Sequence, residues 1–137
     1  MIPPTRIVNL IVVHCSDSDR PDHDDISVID SWHRARGWAK VGYHYFIKTN
    51  GKAQKGRFEY EIGAHAEGHN AHSIGICLSG KGKFTESQYE MLYYLVQRAC
   101  KKYNLNIMTD VVSHNSLNPN KTCPNFDVKK FLKERQA

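Results

Sequence analysis

Histidines and cysteines are the side chains whose types and placement first suggest chemistry. His14 closes an apolar run, residues 7–14, that reads as a strand. Strand ends in α/β sheets are where ligands bind. Its neighbour Cys15 is equally able to bind a metal, but adjacent strand residues point to opposite faces, so the two do not serve one site. His114 repeats the pattern: it ends a β-rich run, residues 111–114, and enters a polar loop in which Cys123 and Pro124 follow. Two imidazoles and a thiolate are good zinc ligands, and three protein ligands leave the fourth tetrahedral position open, as in catalytic rather than structural sites. Local evidence by itself favours a plainer role for His14, a hydrogen-bonded residue closing its strand. No short-range zinc signature such as H-E-x-x-H supports the grouping.

Other residues qualify as helpers. Lys121 stands two positions before Cys123, where an ammonium could stabilise a developing oxyanion; most lysines are simply solvated. Alternation along a strand puts Tyr43 and Tyr45 on one face and His44 on the other. Either phenol could reach a reacting carbonyl, and both serve equally well as core aromatics. His65, His69 and His72 crowd one glycine-containing loop that either lines a site or lies exposed. Cys77, in mid-strand, and Cys100, on an apolar helix face, read as packing residues.

The elements that would position these groups are legible from periodicity. After the first strand comes a polar loop, residues 17–25, and then a helix over 26–36. Ile26, Ile29, Trp32 and His33 share one face of it, and Gly37 ends it. Residues 43–47 form a β-branched and aromatic strand. Asn50-Gly51 marks a hairpin turn in which both residues tolerate positive φ, and a second arm covers 53–55. Residues 73–78 form another strand. Thr85 and Gln88 make a capping box, opening a helix on which Tyr89, Leu92, Tyr93, Val96, Ala99, Cys100 and Tyr103 recur at helical spacing. A long polar loop spans 115–125. Asp127 opens a last helix, with Val128, Phe131 and Leu132 inward and Lys129, Lys130, Lys133 and Arg135 mostly outward. Alternating strands and helices predict an α/β fold, a central mixed sheet flanked by helices.

With 137 residues, one domain spanning 1–137 is expected. Hydrophobic residues at 40% and charged residues at 24% argue against wholesale disorder. No apolar run approaches a membrane span, so no membrane insertion is expected. Pro3 and Pro4 stand where a secretory signal would begin, so synthesis in the cytoplasm without a signal peptide is expected. The four cysteines form no C-x-x-C pair and read as reduced thiols. A formal charge of +5 favours anionic partners without choosing among nucleic acid, lipid headgroups and bacterial wall polymers. It is scattered and accompanied by no nucleic-acid motif, so no nucleic-acid partner is expected.

These residues also fall into ordered blocks: Val13-His14-Cys15-Ser16, Val41-Gly42-Tyr43-His44-Tyr45, residues 63–70 (Gly-Ala-His-Ala-Glu-Gly-His-Asn), Ser73-Ile74-Gly75-Ile76 and Lys121-Thr122-Cys123-Pro124. In that order the chain resembles the zinc-dependent N-acetylmuramoyl-L-alanine amidases of the amidase-2 family, which includes small phage lysins and peptidoglycan recognition proteins. The likeness runs from about Ile7 to Phe131. It implies Zn2+ held by His14, His114 and Cys123, catalytic roles for Tyr43 and Lys121, and a substrate groove lined by His65 and Asn70. The partner it implies is bacterial peptidoglycan, bound by a monomer that acts on the wall after release from the host cell or on wall fragments in the cytoplasm. Its alternative is a recognition module that binds peptidoglycan without cutting it. The chain departs from many relatives just after the second ligand histidine, where Asn115 and Ser116 replace a charged residue, and in a slightly longer loop to Cys123.

Overall fold

Apolar strands alternating with amphipathic helices produce, in the computed structural model, a five-stranded sheet with helices on both faces. The structure describes residues 6–136, so Pro3 and Pro4 lie outside the described residues. The strands are β1 (Leu10–Cys15), β2 (Tyr45–Ile47), β3 (Ala53–Lys55), β4 (Ser73–Leu78) and β5 (Val111–Ser113). The helices are α1 (Ile26–Ala35), α2 (Glu86–Tyr103), α3 (His114–Leu117) and α4 (Val128–Gln136). The sheet order is β3-β2-β4-β1-β5. Every pairing is parallel except the β2–β3 hairpin, so the sheet is mixed, as expected.

β1 lies between two parallel neighbours, which explains its apolar run: residues 11–15 are all buried. The strand opens at Leu10 rather than at Ile7, because its ladder with β4 begins at Leu10 and Ile7 is 79% exposed. One core fills the space between the sheet and helices α2 and α4, around Ile11, Val13, Ile74, Ile76, Leu92, Val96 and Leu132. A smaller one lies under α1 and gathers Ile29, Val41, Phe46 and Cys77. Each fully buried Ile, Leu or Phe contributes roughly 1.5–3 kcal/mol of transfer free energy.

Local signals behave as their chemistry dictates. Asp25 caps α1 by accepting from the Ser27 N–H at 2.9 Å, and Gly37 takes φ +92° just past its end. The Thr85–Gln88 capping box is formed. Gln88 does more than cap. It is fully buried, and its Nε2 donates to the carbonyls of Ile47 at 3.2 Å and Ser79 at 2.7 Å, tying α2 to the ends of β2 and β4. In the hairpin only Gly51 has positive φ, with its N–H donating to the Lys48 carbonyl. This is a three-residue loop rather than the two-residue turn in which both Asn50 and Gly51 would be left-handed. The polar loop expected over 115–125 begins as α3, whose first residue is His114, so His114 lies outside β5. Lys129 is exposed, as expected, and its Nζ folds back to donate to the Val111 carbonyl at 2.5 Å.

Candidate active site

Parallel pairing brings the two distant histidines together. β1 runs beside β5 with Val13 opposite Ser113, so the residues that follow, His14 and His114, emerge side by side at the carboxyl ends of the strands. Their Nδ1 atoms are 3.1 Å apart. Cys123 reaches the same point from the loop after α3. The Asn115 N–H donates to the Cys123 carbonyl at 3.0 Å, and the Cys15 N–H donates to the Cys123 sulfur at 2.9 Å. One donor atom from each of His14, His114 and Cys123 lies within 4.8 Å of the others. Two nitrogens each about 2.0–2.1 Å from a zinc ion at the tetrahedral angle would be about 3.3–3.4 Å apart. The donor set and its spacing therefore fit a small tetrahedral cation.

The electrostatics agree with that fit. His14 is 1% exposed, and burial, followed by the neighbouring histidines, holds its pKa well below the ordinary imidazole value. It is therefore a neutral ring with a free lone pair. Burial and the charge of Lys121 lower His114. The Cys123 thiol is pushed up, first by its hydrogen bond with the Cys15 thiol and then by burial. A cation between the donors is what would draw that proton off, since a coordinating thiol is deprotonated outright.

His114 and Cys123 line a cleft of about 800 Å³ whose walls include Tyr43, His65, Asn70 and Lys121, and His14 is buried directly behind His114. The Tyr43 ring centroid is 4.9 Å from that of His14 and 5.4 Å from that of His33. Burial raises its phenol well above the usual range, so it remains a proton-bearing donor. The expectation that Tyr43 and Tyr45 share a face is corrected. β2 begins only at Tyr45, so strand alternation does not extend back to Tyr43. Tyr43 packs on the α1 side, whereas Tyr45 lies in the opposite core with its hydroxyl on Glu59.

His65 is 8% exposed, and both ring nitrogens are engaged within the protein: Nδ1 with His14 Nε2 at 2.9 Å and Nε2 with Ser73 Oγ at 3.1 Å. Burial pushes its pKa down to about 3, so the ring is neutral. Asn70 braces the same loop, its Oδ1 accepting from the N–H groups of His65 and Ala66 at 2.8 Å each. His69 and His72 pair with each other away from the cleft lining. Cys77 and Cys100 are buried and unpaired.

Sequence reasoning passed over Asp17, Arg36, Trp38 and Glu67, which also line the cleft, and the supporting role of His33. The signal for His33 was a histidine inside an apolar helical stripe. Its Nδ1 accepts from the Gly42 N–H at 2.9 Å and so holds the segment that carries Tyr43. A second cavity, of about 370 Å³, is lined by Arg6, Tyr45, Glu59 and Tyr103, among others, but by no histidine or cysteine.

Comparison with known proteins agrees with this geometry. Residues 4–126 match the N-acetylmuramoyl-L-alanine amidase family. The endolysin of Enterobacteria phage T3 is 36% identical, over 97% of this chain and 91% of the phage protein. The endolysin of Escherichia phage T7 is 37% identical, over 92% and 86%. Among solved structures, the N-acetylmuramoyl-L-alanine amidase LysC from Clostridium intestinale superposes with a TM-score of 0.83 at 30% identity, covering 95% of this chain and 86% of that one. Drosophila PGRP-LB shares the fold, with a TM-score of 0.76 at 21% identity over 97% and 82%. A match that runs through both histidines and on past the cysteine leaves one assignment: this chain belongs to the N-acetylmuramoyl-L-alanine amidase family.

Proposed function

We propose that this chain is a zinc-dependent endolysin that hydrolyses the amide joining the lactyl group of N-acetylmuramic acid to L-alanine in bacterial peptidoglycan. The observation that carries the reading is the convergence of His14, His114 and Cys123, the last two lining a cleft that also holds Tyr43 and Lys121. A full set of three donors favours hydrolysis over recognition without cutting. The phage endolysins to which the chain is similar support action on the cell wall. In the described residues no helix is long and apolar enough to cross a membrane.

His14, His114 and Cys123 would hold the ion. Zinc bound by three protein ligands supplies Lewis acidity at its open position, the property that makes water nucleophilic near neutral pH. The remaining chemistry belongs to the chain. Water adds to the amide carbonyl, negative charge builds on the carbonyl oxygen, and the C–N bond breaks as the amine takes a proton. Tyr43 keeps its hydroxyl proton because it is buried, so it can donate to that oxygen. Lys121 brings a positive charge to the same cleft, close enough to lower His114. Asn70 and His65 line the same cleft, in which the glycan-linked peptide would lie.

Digestion of purified peptidoglycan tests this. New L-alanine amino termini should appear without new reducing sugars, and the protein should carry about one zinc per chain, the count for a single three-ligand site. A rise in reducing ends would mean a glycosidase.

A further inference from the structure

We propose that His65 is a positioning residue that fixes the tautomer of His14, through a directed hydrogen-bond chain ending at the Nδ1 lone pair that faces His114. The proposal rests on the reading of His14 as a metal ligand. Direction begins at the far end. Ser73 Oγ lies 2.7 Å from the His69 carbonyl, which has no proton, so the hydroxyl spends its one proton there. Toward His65 Nε2, at 3.1 Å, Ser73 is left only lone pairs, so His65 Nε2–H donates. A neutral imidazole protonated at Nε2 accepts at Nδ1. His65 Nδ1 lies 2.9 Å from His14 Nε2, so His14 carries its proton on Nε2. The His14 Nδ1 is then bare, and it faces His114 Nδ1 at 3.1 Å.

The seat of His65 is built to hold this orientation. A Cβ on Gly75 would lie 2.6 Å from His65 Cγ, and one on Gly63 would lie 2.5 Å from His65 Cδ2. Two backbone segments thus approach the ring to distances that only glycine allows. Asn70 Oδ1 holds the His65 N–H at 2.8 Å. The ring has its plane and both nitrogens fixed before any ligand arrives. Such outer partners of a ligand histidine typically carry 10–100-fold in metal affinity.

The test uses protein as purified, labelled with ¹⁵N-histidine. Its NMR spectrum should show His14 protonated at Nε2, with a through-hydrogen-bond ¹⁵N–¹⁵N coupling to His65 Nδ1. Zinc affinity, read by competition with a chelator, should fall about 10–100-fold in His65→Leu. His65→Asn should recover most of that loss, since the asparagine Oδ1 sits at the same distance from Cβ as the imidazole Nδ1 and only accepts. Ser73→Ala, a smaller change for use if His65→Leu does not fold, should let His65 take either tautomer and weaken the His14 signal accordingly. A His14 protonated at Nδ1 would overturn the proposal, as would equal zinc loss in the Asn and Leu variants or unchanged affinity in His65→Leu. If the parent protein takes up no zinc, the metal reading fails separately, and the parent spectrum still decides the tautomer.

Discussion

Val13 is the register partner of Ser113 across the β1–β5 ladder, and that pairing sets His14 against His114. The two imidazoles owe their proximity to backbone hydrogen bonds between β1 and the edge strand β5 rather than to flexible loops. Cys123 is the donor that a loop supplies, held by backbone bonds from Asn115 and Cys15.

Removing the loop donor should therefore empty the site without unfolding the sheet. Cys123→Ala is expected to lose bound zinc and hydrolysis together, with far-UV circular dichroism unchanged. Chelation of the parent protein should lower Tm, because a ligand that binds only the folded state stabilises it by mass action. A chelated sample with unaltered Tm and full activity would remove the metal from the reaction.

Tyr43 and Lys121 should separate from the donors. Tyr43→Phe and Lys121→Met are each expected to retain about one zinc per chain while slowing hydrolysis by about 10²–10³, the usual effect of losing one oxyanion donor. Metal content and turnover measured on the same preparations check this. Normal turnover in Lys121→Met would assign that lysine to solvent.

Gln88 links three elements through one amide. Gln88→Leu removes the cap on Thr85 and leaves the Ile47 and Ser79 carbonyls without that donor. The Ile47 carbonyl keeps the Ser79 N–H, so a loss of about 2–4 kcal/mol in unfolding free energy is expected from a cap plus the one buried carbonyl, Ser79, left unsatisfied. Urea titration measures it, and activity per folded molecule should not change.

Buried histidines give the fold an acid limit. Burial pushes His33 and His44 down to about 4, against about 6.5 when unfolded. In the native state each keeps a bare Nδ1 that accepts a backbone N–H, from Gly42 and Gly75 respectively. Below 6.5 the unfolded chain binds protons that the native rings do not, so stability falls as the pH drops. The loss is up to about 1.4 kcal/mol per pH unit for each ring, and it levels off below about 4. Chemical denaturation between pH 7 and pH 4 should show this slope, shallower in His44→Gln.

Much of the architecture was legible because its signals are local. The strand over 73–78, the Thr85–Gln88 box and the Gly37 stop each depend on a few neighbouring residues. The faces of Tyr43 and Tyr45 were not, because alternation holds only inside a strand, and where β2 begins is set by its pairing with β4. His114 similarly falls on α3 because the β1–β5 ladder stops at Ser113. At the site, residue chemistry marked out His14, His114 and Cys123, and the structure brings them together. The link from His65 to His14 crosses the sheet between residues 51 positions apart, and no periodicity encodes it.

The β1–β5 ladder also bears on biosynthesis. The strand carrying the first imidazole leaves the ribosome 100 residues ahead of the second imidazole, and further still ahead of the Cys123 thiol. A nascent chain that stops short of Cys123 lacks the third donor, so the proposed metal site cannot close until synthesis has passed that point.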